Sequence, residues 1–283
     1  MENTNSMTIT QESIAEFKNW LHAEDRSAGT IAKYMRDINR FSDWMNGREM
    51  TKELLTEYKE YLTQSNFEPI TVNSMLAVIN TYCRYVGLNI RLKFLRIQRR
   101  LFREESRELK KDEYEKLIRT AETKGDYRLA LLMETIGAMG IRVSEVQYIT
   151  VEAAKAGRTQ ISLKGKIRDI LLSKKLCRKL LDYARKHKIA SGEIFITKNG
   201  RGISRKQIWS QMKAICKVAG VEASKVFPHN LRHLFARVFY RATRDIAKLT
   251  DLLGHSSIET TRIYLLSTGA EHARQLDGLD LVR

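Results

Sequence analysis

A mainly α-helical protein with a small β-sheet in its second domain is the fold class that this 283-residue chain predicts, and three observations predict it. Apolar residues recur at three- and four-residue intervals over most of the length, the period of an amphipathic helix. Period-two alternation is confined to two short stretches, Ile161 to Leu172 and Ile194-Phe195-Ile196. Only two prolines, Pro69 and Pro228, interrupt the chain.

The first hundred residues read as successive helices. Ile14, Phe17 and Leu21 share one face, followed by Ile31, Tyr34, Met35, Ile38, Phe41 and Met45. Leu54, Leu55, Tyr58 and Leu62 form a third stripe, and Met75, Leu76, Ile79 and Tyr82 a fourth. Four or five helices around one core follow, with Trp20 and Trp44 read as packing. Residues 91–103 then carry six basic side chains and no acid. That run sets a domain boundary, with residues 1–100 as the first domain, 101–108 as a basic linker and 109–283 as the second domain.

Beyond the linker the periodicity predicts helices near 111–122 and 126–139. Ile161-Ser162-Leu163 and Ile167 to Leu172, joined by Lys164-Gly165-Lys166, have the spacing of a β-hairpin. A further strand is expected at 194–196, and Ser204 is placed to cap the helix carrying Trp209, Met212 and Ile215. Residues 228–266 read as mostly helical, with Ser256-x-x-Glu259 as a capping box.

Fifty Lys and Arg against 33 Asp and Glu give a net charge of +17. Such an excess fits a polyanionic partner, since basic side chains that neutralise phosphates release condensed counterions. The three cysteines, Cys83, Cys177 and Cys216, are odd in number and widely spaced, which argues against a disulfide scaffold or zinc ribbon. No basic, apolar leader opens the chain, and no apolar run approaches the ~20 residues that span a bilayer. A soluble, cytoplasmic protein is expected.

The last quarter carries the chemistry. His229, Arg232 and His233 stand in H-N-L-R-H, His255 in L-G-H, and Tyr264 nine residues later. A tyrosine hydroxyl beside arginine and histidine can attack a phosphodiester without metal or ATP, because the phosphotyrosine ester keeps the energy of the broken bond. The attack adds negative charge to the non-bridging oxygens, and guanidinium groups stay charged and present a planar fork to two of them. A phenol of ordinary pKa, about 10, needs a base near neutral pH, and His229 is the natural acceptor.

Four segments in order, G-I-R-V-S-E-V at 140–146, L-K-G-K at 163–166, H-N-L-R-H at 229–233 and L-G-H-S-S-I-E-T-T-R-I-Y at 253–264, resemble the tyrosine recombinases, the family of phage integrases, Xer proteins and transposon integrases. Residues 27–41 resemble the family's core-binding domain less specifically. The resemblance implies two domains forming a clamp around DNA, with the catalytic set Arg142, Lys164, His229, Arg232, His255 and Tyr264. Arg142 and Arg232 would grip the scissile phosphate, His229 would take the phenolic proton, and His255 would bond a non-bridging oxygen and buttress the active site. Lys164 is favoured as the acid for the departing 5′-oxygen, with Lys166 as its alternative. His233 and Glu145 are read as supports beside the arginines.

For DNA contact, Lys33, Arg36 and Arg40 share a face of the second helix, Asn73, Asn80 and Arg84 lie along the fourth, and Arg99, Arg100 and Lys166 add basic contacts. The resemblance further implies no cofactor, double-stranded DNA sites as partner, four protomers acting on two sites from a monomer in solution, and a directionality factor in some systems. The segment after Tyr264 would dock on a neighbouring protomer, and the family's extra arm-binding module is expected to be absent. His229 and His233 also have the i, i+4 spacing of metal ligands, but Asn230 stands where the glutamate of H-E-x-x-H would be, so no metal is expected. The rival readings are a type IB topoisomerase, or a non-catalytic DNA-binding accessory protein of the same fold.

Overall fold

The computed structural model describes residues 8–98, 105–163, 166–266 and 269–279. The chain divides into two compact units, Met1–Arg99 and Arg100–Arg283. The first is built from four helices, α1 (Gln11–Ala23), α2 (Ala28–Met45), α3 (Lys52–Gln64) and α4 (Pro69–Tyr85). Thr10, Ser27 and Thr51 cap the first three through their hydroxyls, and proline occupies the first turn of α4, where no amide donor is missed.

The expected stripes are the core of this unit. Phe17, Leu21, Ile38, Phe41, Leu55, Leu62, Leu76 and Tyr82 are fully buried. The Tyr82 hydroxyl donates to Ser13 Oγ at 2.9 Å, which satisfies the one polar end of a buried ring. Asp37 is buried on α2 and takes Lys33 Nζ at 2.9 Å and Arg36 Nε at 3.2 Å.

In the second unit α5 (Lys111–Thr123) and α6 (Tyr127–Met139) pack as a pair, and α7 (Val151–Ala156) leads into the hairpin of β1 (Arg158–Leu163) and β2 (Lys166–Leu171). The helices α8 (Lys174–Lys186), α9 (Arg205–Ala219), α10 (Pro228–Thr243), α11 (Ile246–Leu253), α12 (Ile258–Arg262) and α13 (Gly269–Asp277) complete it. Leu129 to Met133, Ile136 and Met139 are all buried, so α6 is covered over most of its surface and leaves only the stripe of Tyr127, Glu134 and Ala138 open. Arg107 and Glu108, within the expected linker, are held by this unit: the Arg107 carbonyl accepts from Asn230 Nδ2 at 2.8 Å, and Glu108 pairs with Arg237 at 2.8 Å.

The hairpin is antiparallel, with Ile161 opposite Arg168 and Leu163 opposite Lys166. Two expectations need correction. Residues 194–196 form no strand among the described residues; isolated bridges pair Thr150 with Glu193 and Ile196 with Gly202. Ile194 and Phe195 are buried, so their apolarity marks core rather than ladder. Ser257, not Ser256, caps α12, and its hydroxyl accepts the Glu259 amide at 3.1 Å.

Candidate active site

His229, Arg232 and His233 lie in the first turns of α10 at i, i+3 and i+4, which puts all three on one face of the helix. Arg232 is 0% exposed. Its Nη1 donates to the Gly140 carbonyl, and its Nη2 donates to the Leu253 carbonyl at 2.7 Å. Gly140 ends α6 in the left-handed region at φ +62°, and a Cβ there would meet the Phe235 ring at 2.3 Å, so only glycine presents its carbonyl to Arg232 in this way.

His255 follows the αL glycine that ends α11, Gly254. Its Nε2 lies 2.8 Å from Arg232 Nη2, and its Nδ1 lies 2.9 Å from Thr261 Oγ1. A guanidinium only donates, so Nε2 is the acceptor and the ring proton sits on Nδ1, facing Thr261. Burial, then the charges of Arg232, Arg142 and Arg168, push the His255 pKa down to about 4, which keeps the ring neutral in this role. In this position the ring buttresses Arg232.

Tyr264 is 7% exposed and sits in a short 3₁₀ turn after α12. Its hydroxyl lies 3.2 Å from His229 Nε2. The phenol ring stacks on His233 with centroids 4.2 Å apart and packs with Ala236, Leu249 and Leu253 in a small satellite cluster. Burial, then Arg232 and Arg142, lower the His229 pKa, so its ring is neutral and able to accept a proton from the phenol. Burial likewise lowers the Arg232 pKa to about 10, still cationic at neutral pH.

Arg142 opens the segment after α6, and Glu145 behind it is buried. Glu145 Oε2 accepts the Arg142 amide at 2.7 Å and Oε1 accepts Arg142 Nη1 at 3.0 Å, while Arg142 Nη2 reaches the Gly254 carbonyl at 3.3 Å. The Arg142 side chain is 39% exposed and lines a cleft of 740 Å³ with His255, Ser256 and Arg205.

Thus Arg142, Glu145, His229, Arg232, His233, His255 and Tyr264 come together from three distant parts of the chain. Lys164 lies outside the described residues, as do Arg99 and Arg100, and the side chain of Lys166 is likewise not described. One member of the cluster went unread in the sequence. Arg168 pairs with Glu145 at 2.6 Å and donates to the Leu252 carbonyl at 3.2 Å. The available signal was its place in the strand: it stands opposite buried Ile161 and two residues from buried Ile170, an arginine on the core-facing stripe.

In the first unit the expected DNA-reading set divides. Asn80 Nδ2 donates to the Leu92 carbonyl at 3.0 Å and its Oδ1 accepts the Leu92 amide at 2.8 Å. Asn73 does the same with Leu95 at 3.0 and 2.7 Å. Base reading at these two is corrected: each carboxamide is turned onto the chain's own backbone and pins the segment after α4. Lys33 and Arg36 hold Asp37, Arg40 lies over the Phe67 ring at 5.3 Å, and Arg84 over Trp20 at 5.6 Å.

A profile of the phage integrase family matches residues 107–271, which contain the whole cluster. The chain belongs to that family, the tyrosine recombinases. The tyrosine recombinase XerA of Pyrococcus furiosus is 27% identical over 275 residues, covering 95% of this chain and 93% of that protein. The tyrosine recombinase XerD of Vibrio cholerae is 24% identical and covers 87% and 88%. Among solved structures, a lambda integrase tetramer bound to a Holliday junction matches with a TM-score of 0.69 at 18% identity, covering 92% of this chain and 78% of that one. That likeness shows the recombinase fold. No described helix of this family member is long and apolar enough to cross a membrane.

Proposed function

We propose that this phage integrase family member is a site-specific DNA recombinase that cleaves and rejoins strands through Tyr264. The observation that carries the reading is the Tyr264 hydroxyl held 3.2 Å from a neutral His229 inside a cluster that includes Arg232 and His255. The phenolic oxygen attacks the scissile phosphorus as its proton passes to His229 Nε2. The P–O bond to the 5′-oxygen breaks, and that oxygen takes a proton from Lys164. The products are a 3′-phosphotyrosine and a free 5′-hydroxyl, and the reverse attack by a 5′-hydroxyl from a second site exchanges strands through a Holliday junction. Arg142 and Arg232 balance the charge that builds on the non-bridging oxygens.

Arg232 and Tyr264 are both closed off from solvent, so the phosphate reaches them only after the Tyr264 segment shifts, and the exposed Arg142 meets it first. The small cluster beneath Tyr264 is suited to such movement, because few apolar contacts hold it. The first unit, Met1–Arg99, would supply most duplex contacts, through Lys33, Arg36, Arg40 and Arg84, with Arg99 and then Arg100 following. Four protomers would act on two sites in the cytoplasm, serving a mobile element or the resolution of replicon dimers. Support for tail docking on a neighbour comes from Leu276 and Leu279, both exposed at the end of the described chain. Deleting residues 268–283 should weaken synapsis and leave single-site cleavage intact, and unchanged assembly by the truncated protein refutes docking.

The decisive test is a suicide substrate carrying a nick beside the scissile phosphate. Wild-type protein should accumulate a covalent adduct whose attached DNA end can be sequenced. Tyr264→Phe should form none while its duplex affinity stays nearly unchanged, since backbone contacts dominate that affinity. Adducts with the Phe variant would mean another nucleophile.

A further inference from the structure

The end of α11 is gripped by three arginines from three segments. The carbonyls of Leu252, Leu253 and Gly254 accept from Arg168, Arg232 and Arg142 respectively, at 3.2, 2.7 and 3.3 Å. These carbonyls are the negative end of the helix and satisfy guanidinium donors without cancelling a whole charge. His255 follows directly, so whatever holds these carbonyls also fixes the ring that buttresses Arg232. Arg168 also packs under the turn: a Cβ on Gly254, itself at φ +60°, would lie 2.5 Å from Arg168 Cδ.

Two of the three cations, Arg142 and Arg168, share one carboxylate. Glu145 is 2% exposed and takes Arg168 Nη2 on the same oxygen that accepts the Arg142 amide, leaving Oε1 for Arg142 Nη1. Arg168 itself is only 14% exposed on its side chain, so it is not the arginine that a duplex meets.

We infer that Arg168 is a positioning residue for the phosphate clamp: its fork joins Glu145 to the Leu252 carbonyl and thereby sets the direction of Arg142 and the seat of His255. Without it, Glu145 is a buried anion with Arg142 as its remaining ion-pair partner, and the Arg142 guanidinium is drawn back from the cleft onto the carboxylate. A lysine keeps the charge but, as a point donor, cannot hold carboxylate and carbonyl with the same fixed fork. This inference rests on the proposed strand cleavage and extends it to a residue that touches no reacting atom.

The test compares Arg168→Gln and Arg168→Lys with wild type in single-turnover cleavage of two substrates. One carries the ordinary scissile phosphate; the other carries a methylphosphonate, which is neutral and needs less of a cationic clamp. Cleavage of the phosphate should fall by about 10- to 100-fold in Arg168→Gln, the order that an ångström-scale misplacement produces. Most of that deficit should disappear on the methylphosphonate, with duplex affinity unchanged. Arg168→Lys, which preserves the charge, should still lose about 10-fold on the phosphate. Equal fractional losses on both substrates would reduce Arg168 to ordinary structural support, and full activity of Arg168→Lys would remove the need for a fork. If wild type forms no adduct on either substrate, strand cleavage itself is wrong. If wild type cleaves and both variants match it, only the role of Arg168 falls.

Discussion

The two units both bury charge, but they balance it in different ways. In the four-helix unit the buried charge is an anion, Asp37, and two cations on its own helix, Lys33 and Arg36, neutralise it. The second unit also buries a paired anion, Glu145, between Arg142 and Arg168, but its most deeply buried charge is a cation, Arg232, which donates to the carbonyls of Gly140 and Leu253 and to the neutral ring of His255. The difference separates scaffolding from chemistry. A cation in an ion pair is partly screened by its carboxylate, whereas a cation held by dipoles keeps its full charge at the cost of desolvation. Burial first, and neighbouring arginines second, lower the pKa values of Arg232, His229 and His255, while Tyr264 and Glu145 partly offset the shift at Arg232.

The contrast breaks most sharply at Arg232. Arg232→Ala should slow cleavage by about 100- to 1,000-fold or more in a single-turnover assay, in line with loss of a charged transition-state donor. A near-normal rate would place Arg232 with Asp37 as mere structure. At the other pole, Asn80→Ala should remove both bonds to Leu92 and cost roughly 1–3 kcal/mol in chemical denaturation, two bonds at about 0.5–1.5 kcal/mol each. The preferred DNA sequence of that variant, read by selection from a random pool, should not change. Altered base preference with unaltered stability would restore Asn80 as a reader.

A smaller effect tests the field itself. His255 titrates near 4 in the fold and near 6.5 when unfolded. Because the folded value is depressed, the unfolded chain binds the extra proton first as pH falls. The contribution is therefore fully present above about pH 6.5 and is lost progressively between 6.5 and 4. The melting temperature should fall over that window, and His255→Gln should flatten the fall. An unchanged slope in the variant would mean that burial and the neighbouring arginines do not hold the ring neutral.

The helical stripes were legible because burial on one face imposes a period that composition cannot hide, and Phe17, Phe41, Tyr58 and Tyr82 lie where that period places them. The reactive set was legible because its residue types are needed for one reaction and cluster in short motifs. Ile194 and Phe195 misled because a short apolar run looks the same in a strand and in a buried loop. Asn73 and Asn80 misled because a carboxamide suits a base edge and a backbone amide equally well, and only the course of residues 92–95 beside α4 decides between them.

Local periodicity and short motifs thus determined the helices, the hairpin and the reactive set apart from Arg168, since these depend on neighbours in the chain. The fold alone decided that three carbonyls at the end of α11 would meet three arginines from three segments, and that Arg168 would be one of them. Those contacts join residues up to 112 positions apart, and no local period encodes which distant donor a helix end will face.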